Sequence, residues 1–176
     1  MPWKQLSRKT IIDNKFLKVY EDEVELPNGH IIPDYSVIEK QSFSMVVALD
    51  KDNNVITIDE YKYAIGKTIH TLPAGCFNTG ESPLETAKRE LMEETGYSGG
   101  IWEDLGEYYE YPSKDSHVVR FFKATGVERT SHMSHETTEN IALRVINLEK
   151  LKEEIKNHEW PANATLAAFV AAGLLN

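Results

Sequence analysis

Residues 75–97 constrain this chain more than any other part of it. A glycine-bearing loop runs straight into a helix whose ends and faces are all written in its side chains. Ser82 is placed to cap the free amides of a helix start, Pro83 suits the first helical position, and Glu85 completes a capping box with Ser82. Thr95 and Gly96 close the helix, with Gly96 where a left-handed residue is wanted. Leu84, Ala87 and Leu91, spaced by three and four, form the stripe that faces a core. Away from that stripe, Glu90 and Glu94 stand one turn apart with Glu93 beside them. Like charges at this spacing cost an isolated helix about a few tenths of a kcal/mol per pair. Arg89, four residues before Glu93, relieves part of that repulsion. Most helices with such a face simply present it to water; the residues ahead of this one point to chemistry instead.

Upstream lie Leu72, Pro73, Ala74 and Gly75, then a loop through Gly80 and Glu81. The stretch 75–97 reads G-x5-E-x7-R-E-L-x-E-E-x-G-Y, so Gly75, Glu81, Arg89, Glu90, Glu93, Glu94 and Gly96 fill every fixed polar or glycine position of the Nudix box. At ordinary residue frequencies an accidental match is on the order of one in a million. The chain therefore resembles the Nudix hydrolase family. Tyr97 departs from the aliphatic residue usual at its position, a matter of packing rather than chemistry. The resemblance implies an α+β fold, an α/β/α sandwich around a mixed sheet, with the box as loop–helix–loop. It also implies that Glu90, Glu93 and Glu94 hold Mg2+, with Mn2+ as the alternative ion, and that the main-chain carbonyl of Ala74 ligates as well. Hard divalent cations favour such oxygens and keep waters and substrate phosphates as their other ligands. By the same resemblance Arg89 orients the glutamates and Glu81 supports the loop.

Beyond the box, the layout is similar to the ADP-ribose pyrophosphatase branch. Those proteins carry an N-terminal strand subdomain exchanged within a homodimer, which here corresponds to residues 1–40, leaving 41–176 as the hydrolase domain. They also show a Tyr-Arg-Tyr-like segment, here Tyr61, Lys62 and Tyr63, which implies substrate contacts for Tyr61 and Lys62. Lys62 replaces the common arginine, whose flat fork stacks on bases in ways lysine does not. Thr71 stands where glutamate is frequent. These departures leave a nucleotide sugar, such as GDP-mannose or a UDP-sugar, nearly as open as ADP-ribose. The implied catalytic base lies on the loop 131–139, with Glu136 the first candidate and Glu139 the second; His132 and His135 read as solvated. Two other readings share the box, a nucleoside triphosphate pyrophosphohydrolase and a non-catalytic nucleotide sensor.

The remaining chain fits this picture. Residues 10–40 read as strands, with Pro27-Asn28-Gly29-His30 as the turn of a hairpin. Apolar runs at 42–49 and 55–58 form a second hairpin, and strands are expected near 102–109, 118–123 and 141–147. Helices are expected at 148–158 and 163–175. Acidic residues outnumber basic ones 28 to 19, a net charge of −9, which argues against a nucleic-acid partner and for cations at any phosphate site. No run is long and apolar enough for a membrane span, and no signal-peptide core precedes the strands, so a cytoplasmic protein acting on a small molecule is expected. Cys76, the single cysteine, excludes an internal disulfide. Gly66-Lys67-Thr68 lacks the earlier glycine of a P-loop, and Tyr108, Tyr109 and Tyr111 read as strand tyrosines.

Overall fold

The computed structural model describes residues 1–134 and 140–175. The chain divides into two compact units, Met1–Ser42 with Tyr109–Val118, and Phe43–Tyr108 with the remainder.

The first unit is an antiparallel sheet of β1 (Lys4–Asp13), β2 (Leu17–Glu25) and β3 (Ile31–Lys40), in that order. The β2–β3 turn is the one expected: Gly29 has φ 82°, and the Leu26 amide donates to the His30 carbonyl at 2.8 Å. The strand β1 begins at Lys4, earlier than the expected start near residue 10. Its first half has almost no apolar pattern; it is held by its main-chain ladder to β2, with complementary charges across the pair. Lys4, Arg8 and Lys9 face Glu25, Asp22 and Glu21, and Arg8 grips the buried Asp22 through two hydrogen bonds of 2.8 and 2.7 Å. Tyr109–Val118 packs onto β3, where the Ile38 amide donates to the Lys114 carbonyl at 2.7 Å and Ile38 bridges Asp115.

The second unit contains β4 (Phe43–Asp50), β5 (Asn54–Lys62), a 3-10 turn, β6 (Lys67–Thr71), β7 (Ala74–Cys76), α1 (Pro83–Thr95), β8 (Tyr97–Ser98), β9 (Ile101–Tyr108), β10 (Val119–Arg129), β11 (Ile141–Asn147), α2 (Leu148–Lys156) and α3 (Asn163–Ala171). One sheet runs β11-β5-β4-β10-β8, with β6 on β5, β7 on β4 and β9 on β10. The β4–β10 pair is parallel and the others antiparallel, which makes the sheet mixed. Because both faces of β4 are covered, its alternation is apolar on either side. Met45, Val47 and Leu49 join Leu151 of α2 and Phe169 of α3 in one core, while Val46 and Ala48 join Ala87 and Leu91 of α1 in the other. The sheet is thus sandwiched between helices, as expected from the box.

Three short strands, β6, β7 and β8, carry too few residues to show a period. The strand β10 runs on to Arg129, past the expected 123, through a bulge between Thr125 and Val127 where Gly126 takes φ 74°. The helix α3 stops at Ala171 rather than 175, because Gly173 turns left-handed and the Leu174 amide returns to the Phe169 carbonyl at 3.0 Å. Among the described residues no helix is long and apolar enough to cross a membrane.

Candidate active site on the box helix

The helix α1 is fixed at both ends as its sequence dictates. Ser82 accepts from the Glu85 amide at 3.3 Å, Glu85 accepts from the Ser82 amide at 2.8 Å, and Gly96 closes the helix at φ 76°. With Leu84, Ala87 and Leu91 turned to the sheet, the acidic side is set against β7. Glu90 is 8% exposed and Glu94 4%, whereas Glu93 keeps more of its side chain in solvent.

Arg89 organises this side. Its Nε and Nη2 donate to the two oxygens of Glu81 at 2.9 and 3.0 Å, and its Nη1 reaches Glu90 at 2.6 Å and Glu93 at 3.0 Å. Only a planar fork satisfies that set of acceptors. Glu81 receives two further bonds, from the Thr86 hydroxyl at 2.9 Å and the Asn78 amide at 3.2 Å. The Arg89 hydrogen bonds, reinforced by Thr86 and the Asn78 amide, pull the Glu81 carboxyl down to about 2, against the opposing effect of burial. Glu81 is thereby ionised at neutral pH and ties the loop to the helix.

The loop side explains the fixed glycine. A Cβ on Gly75 would fall on the Glu90 carboxyl group, so only glycine leaves room for it. The Ala74 amide donates to Glu94 at 3.0 Å, which seats that carboxylate against the strand just before the box. Three carboxylates, Glu81, Glu90 and Glu93, share the Arg89 guanidinium, and Glu94 stands beside them on the Ala74 amide, so acidic groups outnumber that cation in a partly dry corner. Such a donor set, carboxylates plus nearby main-chain oxygens over a glycine cradle, fits a hard divalent cation. Cys76 does not fit a nucleophile: the residue is exposed overall, but partial burial of its thiol, followed by the charge of Glu90, pushes the thiol up.

The C-terminal end of α1 holds the start of the following loop. Gly96 accepts from the Thr130 and Ser131 amides at 2.9 and 3.2 Å, and the Ser134 amide donates to the Glu93 carbonyl at 2.8 Å. His132 lies on this described flank and is exposed. On the far flank, the Tyr61 amide donates to the Asn140 carbonyl at 3.3 Å. His135, Glu136 and Glu139 lie outside the described residues. Tyr61 is 44% exposed at the end of β5, and Lys62 pairs with Glu60 at 2.5 Å. Thr86, Asn78 and the amide of Ala74 had no place in the sequence reading. Their parts are played through backbone atoms or a helix threonine, for which the chain carries no distinguishing pattern.

Comparison with known proteins agrees with this geometry. Residues 39–169 match the NUDIX domain, so the chain belongs to the Nudix family, and its reaction class is hydrolysis of a phosphoric anhydride. Residues 3–38 match the nucleoside diphosphate sugar hydrolase N-terminal domain, which places it in the nucleoside diphosphate sugar and ADP-ribose hydrolase group of that family. Among its relatives is an ADP-ribose pyrophosphatase of Bacillus subtilis, 30% identical over 69% of this chain and 65% of that enzyme. A methanol dehydrogenase activator of Bacillus methanolicus is 27% identical over 94% of this chain and 89% of its own length. The fold is shared with a crystal structure of an ADP compounds hydrolase, at a TM-score of 0.86 and 20% identity, covering 98% of this chain and 93% of that one.

Proposed function

We propose that this protein hydrolyses the diphosphate bridge of ADP-ribose or a nucleotide sugar, releasing nucleoside monophosphate and sugar phosphate, with Mg2+ as its ion. The observation that carries the reading is the seating of Glu90 and Glu94 against Gly75 and Ala74, with Arg89 shared by Glu81, Glu90 and Glu93. Glu90, Glu93, Glu94 and the Ala74 carbonyl would hold the ion, which when bound polarises a phosphoryl oxygen and acidifies a water. Arg89 keeps Glu90 and Glu93 from turning away, and Glu81 keeps Arg89 in place. Glu136, or failing it Glu139, accepts the proton of the attacking water, on a loop whose described flanks are tied to α1 and to Tyr61. Tyr61 and Lys62 contact the substrate from the end of β5.

The molecule acts as a cytoplasmic homodimer in this reading, with residues 1–40 as the dimerising subdomain. Its support is the exposed apolar set on β1, Leu6, Ile11 and Ile12, in a sheet that matches a dedicated N-terminal domain. The test is incubation with Mg2+ and a panel of ADP-ribose, nucleotide sugars and nucleoside triphosphates. Nucleoside monophosphate from a diphosphate derivative is expected, and Glu94→Gln is expected to abolish it while the fold persists. Pyrophosphate from a triphosphate, or binding without product, overturns the reading.

A further inference from the structure

On the face of the sheet away from α1, a second set of ligand-type side chains converges. His70 of β6, Glu154 of α2 and Glu159 just beyond α2 bring one ligand atom each to within 4.8 Å of one another. We propose that these three residues, with Asp59 as a positioning partner, form a second metal site, selective for a borderline transition ion such as Zn2+.

The imidazole is prepared for that role. Asp59 stands directly opposite His70 in the β5–β6 pairing, and its carboxylate lies 2.6 Å from His70 Nδ1. A carboxylate on one ring nitrogen fixes the tautomer and turns the other lone pair outward, which is how proteins aim histidine ligands at metals. The His70 ring also packs on Trp160, with centroids 5.4 Å apart, so its plane is set by a buried neighbour. Glu154 is anchored by Arg144 through one oxygen and by the Trp160 indole at 3.2 Å through the other. Each oxygen retains a further lone pair for a cation. Glu159 is exposed, has no ion-pair partner among the described residues, and is kept beside Glu154 by its own amide, which donates to the Glu154 carbonyl at 3.0 Å. Asp59, Glu154 and Glu159 against Arg144 leave two negative charges for a dication to meet.

The donor set selects the ion. An imidazole nitrogen with two carboxylates suits Zn2+ and its neighbours, whereas Mg2+ prefers all-oxygen octahedra and keeps its waters. Tetrahedral Zn2+ holds its ligands at about 2.0–2.2 Å, hence roughly 3.3 Å from one another, so the exposed Glu159 carboxylate has at most about 1.5 Å to travel. A bound ion would clip β6 to α2, and β6 leads through Leu72 and Pro73 directly to Ala74 and Gly75 of the box.

The test is calorimetric titration of the whole protein with Zn2+ in excess Mg2+, alongside imidazole nitrogen NMR of its six histidines. One equivalent is expected to bind with a shift at His70. Glu159→Gln and His70→Gln are each expected to weaken it at least tenfold, and Asp59→Asn about 10–100-fold, the usual cost of losing such a partner. Glu159 is exposed, so its variant keeps the fold whatever happens at His70. Absence of Zn2+ binding, or equal affinity in the wild type and both ligand variants, overturns the proposal. The second result would assign the heat to the box carboxylates. Neither readout depends on turnover, so failure here is distinct from failure of the proposed hydrolysis.

Discussion

Arg89→Ala tests the electrostatic organisation of the box helix at its centre. In the wild type Glu81 titrates at about 2 in the folded protein against 4.5 unfolded. By linkage that gap is worth at most ~3 kcal/mol of stability. The Glu81 side chain is 16% exposed, and screening brings the figure to about 2 kcal/mol. Loss of the guanidinium also leaves Glu90 and Glu93 to repel each other without relief, which adds a few tenths to about 1 kcal/mol. The variant should therefore be about 2–3 kcal/mol less stable at neutral pH in chelator, a fall in Tm of roughly 5–10 °C for a chain of this size. The pH dependence carries the sharper signature. Because the folded value lies below the unfolded one, the Glu81 contribution is whole above pH 4.5 and disappears as pH falls toward 2. Wild-type stability should thus decline steeply across that window, and the variant should decline less. Chemical denaturation at closely spaced pH values measures both curves. Parallel curves, or a neutral-pH difference under about 0.5 kcal/mol, would show that Arg89 is a surface ion pair of the ordinary kind and refute the reasoning.

Gly75→Ala should lower kcat on the order of a hundredfold, because the added Cβ occupies the place of the Glu90 carboxyl and displaces it by about its own diameter; steady-state kinetics at saturating Mg2+ reads this directly. Ser82→Ala removes the N-cap and should cost about 1 kcal/mol in denaturant melts, with turnover per folded molecule nearly intact. Phe169→Ala empties a fully buried site against Trp160 and should cost about 3–5 kcal/mol, detected as a fall in the denaturation midpoint, far from the catalytic face.

The helix α1 was legible to the residue because each of its signals is local. Capping, stripe and terminal glycine all lie within one segment, and the structure places Ser82, Glu85 and Gly96 as those signals require. The central strands β4 and β5 were legible for a related reason, since continuous apolar runs such as 45–49 have no other place to go than between two layers. What stayed hidden is whatever depends on a partner distant in the chain. The first half of β1 is a strand because it pairs with β2, where Lys4, Arg8 and Lys9 also meet carboxylates, and that ladder does not exist until the hairpin beyond it has formed. Tyr109–Val118 joins β3 through main-chain hydrogen bonds at Ile38 and through pairings such as Lys40 with Asp115, partners some seventy residues apart in the chain. The site divides along the same line. Its glutamates and Arg89 were named from spacing, but the reason Gly75 must be glycine became visible only where the loop crosses over Glu90. The same division bears on the metal clip proposed on the opposite face. Asp59, His70, Glu154 and Glu159 come from three separate stretches, so no spacing motif announces them, and only strand register and the packing of Trp160 bring them together. A box can be read from a line of sequence because one helix carries it; a site assembled by the sheet is readable only after the sheet exists.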